Sequence, residues 1–268
     1  MNGLLSEIGR KLADRWLSAL VLPGVLFVAA AMCGWWLGHP HALDTGRLEN
    51  EVRQFGRRLD GRPAAVLLAV VGALLGATGA GLAVQGAAAG VRRAWVARRP
   101  ARWVARRRRR AEGVLARRGH TVPTRYLPAR ATAVGDRFRL VDQRVDAQYG
   151  LAVALVWPRL WLLLPDSATA AIRDATTRYR AAAEATAWGF LYLLLGTLWW
   201  PAAMVGLVVV AVGHVRGRSS GAALADLVEA AVDTHQRPLA ETLGVDLPHG
   251  RITPAEGARI NDILNKRA

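Results

Sequence analysis

From Pro63 to Val91 the chain runs for 29 residues without one ionisable side chain, and immediately afterwards, from Arg92 to Arg130, it carries fourteen arginines against a single acid, Glu112. At about 1.5 Å per residue, an unbroken helix over the first stretch is about 43 Å long, more than enough to cross the hydrocarbon core of a bilayer. The whole chain is 52% apolar yet has a formal net charge of +16. Those two properties are compatible when apolar and basic residues are segregated along the chain, which is the pattern of a polytopic membrane protein. Positive charge beside a span marks its cytoplasmic end, so the arginine block orients the second span.

Three further stretches follow the same logic. Residues 16–38 form the first expected span, uncharged from Leu17 to Gly38 and bracketed by Trp16, Trp35 and Trp36 as interfacial anchors. Residues 1–15 place Leu4, Leu5, Ile8 and Leu12 on one helical face, which predicts a short amphipathic helix at the membrane surface before it. No cleavable signal is expected, because Glu7 and Asp14 precede the apolar run and the run is long; it reads as a retained anchor. Residues 39–62 are polar and mixed in charge, and read as an extracytoplasmic loop.

The uncharged stretch Ala185–Gly213 is about 43 Å long as one helix, which would put Trp199, Trp200 and Pro201 near the bilayer centre. Folded as a hairpin at that turn it gives two short spans, 183–200 and 201–217, with Trp199 and Trp200 at the far interface. Arg173, Arg178 and Arg180 before it and Arg216 and Arg218 after it set both outer ends in the cytoplasm. The expected architecture is therefore all-α and polytopic: two spans (16–38 and 63–91), a tight hairpin, and a helical cytoplasmic portion. Both termini are cytoplasmic. Arginine supplies all but two of the basic residues, Lys11 and Lys266, and alanine is abundant, which points to a high-G+C bacterial genome and hence to a bacterial cytoplasmic membrane.

The second span repeats small residues every four positions, Ala69, Ala73, Ala77 and Gly81 in one row and Gly72, Gly76 and Ala80 in another. Such rows let helix backbones approach closely in lipid. They serve either a homo-oligomer or packing against the chain's own first span. Within the basic cytoplasmic portion, 92–182, the pairs Trp95-Val96 and Trp103-Val104 recur at helical spacing, with Pro100 dividing the run into two pieces. Arg92, Arg93, Trp95, Arg99, Trp103, Arg106, Arg107, Arg108, Arg109 and Arg110 are the expected contacts to anionic headgroups. Nucleic acid is not an expected partner, because no nucleic-acid-binding motif accompanies the charge.

Leu151–Leu164 is apolar apart from Arg159, too short for an ordinary span, and contains Pro158, which is expected to break a helix. It suits an interfacial or re-entrant element, or a buried hairpin of the cytoplasmic portion. Residues 218–268 form a soluble, nearly neutral helical tail: Leu224, Leu227, Val228 and Ala231 continue a stripe, and Thr253-Pro254-Ala255-Glu256 is a capping box opening a last helix with Ile260, Ile263 and Leu264 on one side. A protein contact is the expected use of this tail.

Chemistry-bearing patterns are sparse. The sequence has no HExxH, GxSxG, CxxC or phosphate-binding glycine loop, and Cys33 is the sole cysteine, so no intrachain disulfide forms. No catalytic residue, cofactor or metal site is assigned. His39, His41 and Asp44 lie together in a loop and read as surface residues, and Glu229, Asp233 and His235 read as a solvated helix face.

Tyr149-Gly150-Leu151, Trp157-Pro158-Arg159-Leu160 and Leu164-Pro165, preceded by Ala131-Thr132-Ala133-Val134-Gly135-Asp136, resemble a group of uncharacterised bacterial membrane proteins of high-G+C type. There a "YGL…WPRL…LLP" segment precedes a hydrophobic hairpin and an alanine-rich helix like Ala223–Asp233. The resemblance spans about residues 125 to 245 and implies the hairpin topology, with no activity attached; the group more often has proline where this chain has Ala131. Three functional classes follow: a non-enzymatic membrane anchor or assembly component, an oligomeric channel, transporter or membrane-perturbing effector, and a lipid-modifying enzyme using Glu229, Asp233 or His235.

Overall fold

A computed structural model describes residues 22–97, 101–117, 127–130 and 132–265. Among the described residues every regular element is an α-helix, and there is no strand. The helices are α1 (Leu22–Leu37), α2 (Thr45–Leu59), α3 (Pro63–Val96), α4 (Ala101–Arg117), α5 (Ala133–Tyr149), α6 (Val153–Leu163), α7 (Asp166–Leu195), α8 (Trp200–Thr242) and α9 (Pro254–Leu264). Two of them, α3 and α8, are long and apolar enough to cross a membrane. The chain divides into two compact units, one made of Met1–Val91 with Ala183–His214 and the other of Arg92–Ala182 with Val215–Ala268.

In the first unit, α1 stops at Gly38, whose φ of 60° is left-handed and whose N–H returns to the Gly34 carbonyl at 2.9 Å. Pro63 opens α3 at the first helical position, where a missing N–H costs nothing. Between them lies a helix where a loop was expected. Asp44 caps α2 by accepting the Arg47 N–H at 2.9 Å, and Leu48, Val52, Phe55 and Leu59 give it one apolar side, with Phe55 tilted against Trp36 at 5.8 Å. The pattern escapes a reading by charge because nine of its fifteen residues are the polar ones that surround this narrow stripe.

Backbones in this unit meet through glycine. A Cβ on Gly24 would stand 2.9 Å from the Ala77 carbonyl carbon, so α1 and α3 touch there, and Ala77 is fully buried. Within the hairpin of α7 and α8, a Cβ on Gly189 would stand 2.7 Å from the Val210 nitrogen and one on Gly206 2.6 Å from the Leu193 nitrogen. Close approach of this kind is how helices associate where apolar side chains have no water to avoid. The turn between them occupies 196–199 and leads into Trp200-Pro201.

The second unit has a conventional interior. Val141, Val145 and Tyr149 of α5, Val156 and Leu160 of α6, Ile172 of α7, and Val232 and Leu239 of α8 are all buried. Each aliphatic side chain of this kind stabilises the fold by about 1.5–3 kcal/mol relative to exposure. Gly150 ends α5 with φ of 65°, and Asn261 of α9 brackets the following turn, donating to the Gly150 carbonyl at 2.8 Å and accepting the Ala152 N–H at 3.2 Å. A Cβ on Gly150 would stand 2.6 Å from the Pro254 carbonyl oxygen, so glycine is required there twice over.

One expectation is corrected. Pro158 does not break the helix: α6 runs through it from Val153 to Leu163. Leu151, Val156, Leu160 and Leu164 all point into the core, and that burial outweighs the hydrogen bond the proline forfeits, while Arg159 donates to the Leu155 carbonyl at 3.1 Å. The α9 stripe likewise finds its partner within the chain, since Ile260 is fully buried and Ile263 and Leu264 pack on the same core.

Candidate functional site

Within the second unit, α4 and the residues just before α5 converge on one carboxylate. Asp136, in the first turn of α5, is buried, and its Oδ1 accepts the N–H groups of Ala129 and Arg130 at 2.9 and 2.8 Å. Arg107 of α4 donates to its Oδ2 at 2.5 Å and also to the Arg130 carbonyl at 2.6 Å, and Arg139 approaches Oδ1 at 3.4 Å. Asp136 is positioned because Thr132 caps α5, its hydroxyl accepting the Gly135 N–H at 3.0 Å and donating to the Trp95 carbonyl. A negative group in the first turn also complements the helix dipole.

This arrangement sorts the residues expected at the lipid surface. Trp95 is placed differently from the expectation: it is buried, its ring 5.5 Å from that of Tyr179, and a Cβ on Gly217 would meet its ring. Burial pushes the Tyr179 hydroxyl up from its ordinary value, with the Arg92 charge opposing. Arg107 is committed to Asp136, and Arg108 pairs with Glu112 at 3.0 Å. Trp103 is exposed, as are Arg93, Arg106, Arg109 and Arg110, while Arg92 is half-buried. Arg99 and Trp16, and the expected helix over residues 1–15, lie outside the described residues.

The acidic residues of α8 are engaged with α5. Glu229 accepts Arg144 Nη2 at 2.5 Å, Asp226 accepts Arg137 Nη2 at 2.5 Å, and Asp233 accepts the Tyr149 hydroxyl at 2.9 Å. These three contacts fall on successive turns of α8 and, seven and five residues apart, along α5, and act as a ladder between the two helices. Burial, then the hydrogen bond to Asp233 and the Asp233 charge, push the Tyr149 hydroxyl up to about 12. His235 meets the neighbouring Thr234 hydroxyl at 2.7 Å and joins neither Glu229 nor Asp233 in a bond. At the start of α9, Thr253 donates its N–H at 2.9 Å and its hydroxyl to Glu256, and these bonds hold the Glu256 carboxyl below its ordinary value.

In the first unit, His39 donates from Nε2 to the Thr197 carbonyl at 2.8 Å, and His41 accepts from Arg47 at 3.3 Å, so neither turns toward a shared ion with Asp44. Among the described residues no cluster of three or more His, Cys, Asp or Glu side chains is gathered to hold a metal. Trp199 donates to the Ala42 carbonyl at 3.0 Å, whereas Trp35 is exposed and Trp36 half-buried; Trp200 is exposed. Of the small-residue row, Gly76 faces Val28, a Cβ there standing 3.4 Å from its Cγ2; Gly72 faces open space and Ala80 is half-buried. The sequence expectations do not include the glycines of the α7–α8 hairpin, although Gly189 of α7 and Gly196, the first residue of the turn after it, stand seven residues apart.

The fold and these contacts define an all-helical protein with two helices of membrane-spanning length and an ion-paired polar unit. No family model matches the chain, and no curated protein or solved structure is found to be similar to it.

Proposed function

We propose that the chain is a multi-pass protein of a bacterial cytoplasmic membrane, with four spans and cytoplasmic termini, whose polar unit anchors or assembles a complex. The observation that carries this reading is the outward exposure of apolar surface in the first unit. Only 11% of the most apolar stretch of α3 and 22% of that of α8 is buried. Leu67, Leu68 and Leu75 of α3 and Leu207 and Val208 of α8 stand exposed in a way that water would penalise and acyl chains would not. The four-span count adds α1 and the end of α7 to these two helices, supported by their uncharged sequence. The likeness to bacterial proteins with a YGL…WPRL…LLP segment belongs to this proposal too, as does contact of Trp103 and the free arginines of α4 with anionic headgroups.

A reporter fused after Ala268 should score cytoplasmic and one inserted beside Thr45 should score external. A cytoplasmic score at Thr45 overturns the topology. Recovery of the chain in the soluble fraction after alkaline carbonate extraction overturns the membrane reading itself. A second reading, a self-associating channel or membrane-perturbing effector, is favoured by Gly72, Gly79, Gly86 and Gly90 of α3, which share one helical face with open space before each.

A further inference from the structure

We infer that the polar unit holds a site for the phosphate headgroup of an anionic phospholipid, in the groove between Trp161 of α6 and Arg173 and Arg180 of α7. The inference rests on the membrane reading above for its source of ligand. The groove has a volume of about 570 Å³. Arg173 and Arg180 stand two turns apart, about 10.5 Å along the helix, and both are exposed. Neither forms an ion pair with a described residue, and no carboxylate lines the groove. By contrast Arg107, Arg137 and Arg144 of the same unit are each matched to an acid.

The surroundings select among anions. Arg173 lies over the Trp161 ring, 5.7 Å from its centroid, which orients the guanidinium and leaves its N–H edge for an acceptor. Thr176 and Thr177 donate their hydroxyls back to the Ile172 and Arg173 carbonyls at 2.8 and 2.9 Å, so the arginines are the donors that meet the ligand. The opposite wall is apolar, with Phe138, Trp157, Leu224 and Val228. A doubly cationic edge against an aromatic and aliphatic wall fits an amphiphile with a phosphate at one end, where a free inorganic anion would leave the apolar wall wet. Arg180 also precedes the uncharged run at Ala185 by five residues of the same helix, about 7.5 Å. Leu162, beside Trp161, is 83% exposed and extends the apolar edge.

The test is native mass spectrometry of the full-length protein in non-ionic detergent, titrated with phosphatidylglycerol, with phosphatidylcholine of the same acyl chains, and with inorganic phosphate. Phosphatidylglycerol should be retained in preference to the other two, and Arg173→Gln with Arg180→Gln should weaken its retention about tenfold or more. Both side chains are exposed, so the variant keeps its fold, which circular dichroism checks. A second variant, Arg251→Gln with Arg259→Gln, both exposed and outside the groove, should retain the lipid as the unmodified chain does. Equal retention of the two lipids overturns the proposal, as does inorganic phosphate binding as tightly as the lipid or the Arg251 and Arg259 variant losing as much as the α7 variant. Carbonate extraction scores the membrane reading separately: a chain that stays in the membrane pellet but shows no lipid preference sinks only this site.

Discussion

The two units are built from the same element and held together by opposite means. In the first, large apolar side chains stand outward and helices meet where side chains are absent, at Gly24, Gly189 and Gly206. In the second, apolar side chains fill an interior and the helices are further tied by arginine–carboxylate pairs at Asp136, Asp226 and Glu229. On the proposed membrane reading the contrast is one of solvent. Against lipid there is little gain in covering a leucine, so close backbone packing decides the contact; against water, burial supplies the driving force and charges give it register.

Three substitutions set that contrast against measurement. The largest effect is expected in the polar unit, where Asp136→Ala would leave Arg107, Arg139 and two backbone N–H groups without their acceptor. Removing one member of a buried charged cluster costs about 3–5 kcal/mol, so the variant should unfold at lower denaturant than the unmodified protein in the same detergent. A loss below about 1 kcal/mol would mean that water replaces the carboxylate and that the cluster is not what fastens the basic segment. The next effect belongs to the apolar unit. Gly24→Ala drives a methyl group against the Ala77 backbone and should cost about 1–3 kcal/mol, seen as faster proteolysis of the inserted chain. Gly72→Leu, which meets open space, should leave the fold intact. If that variant inserts normally yet loses an oligomer on native gels, the self-associating reading gains; if both glycines respond alike, close packing is not specific to Gly24.

How much of this was legible depends on the range of the signal. Uncharged runs and flanking arginines are properties of contiguous sequence, so the start of α3 at Pro63 and the turn between α7 and α8 at Trp199–Trp200 are readable, whereas α3 runs past Val91 to Val96 and α8 past Gly213 to Thr242. Capping is equally local, as Thr253 and Glu256 show. What escaped is what depends on a distant partner. Trp95 looks interfacial beside arginines, and its contacts with the distant Tyr179 and Gly217 make it interior. Pro158 forbids a helix by its own chemistry, and only Leu151, Val156, Leu160 and Leu164 finding one core overrides it. Arg173 and Arg180 read as topology signals, and the groove they edge exists because α6 folds back beside α7. Glu229 and Asp233 carried the enzymatic alternative in sequence, yet Arg144 and Tyr149, about 85 residues earlier, are their partners.

The smallest effect, and the finest probe of the polar unit, concerns Tyr149. Its hydroxyl donates to Asp233 at 2.9 Å and accepts from Gln148 at 2.8 Å while the ring packs in the core. Tyr149→Phe keeps the ring and removes the hydrogen bond. Asp233 is exposed and water can replace the phenol, so the loss near neutral pH should be about 1 kcal/mol. The pH dependence is more telling. The folded chain holds the Tyr149 proton up to about 12, against an ordinary value of 10.0, so the folded state binds the proton more tightly than the unfolded state. This contribution is fully present below pH 10 and is lost as pH rises from there through about 12. The unmodified protein should therefore lose more stability over that interval than Tyr149→Phe, and their unfolding curves should converge. Tyr179 is shifted in the same direction and remains in both proteins, so it cancels in the difference. Parallel curves across the interval would show that Tyr149 releases its proton without disturbing α5 and α8, and that the ladder between them is held by Arg137 and Arg144 alone.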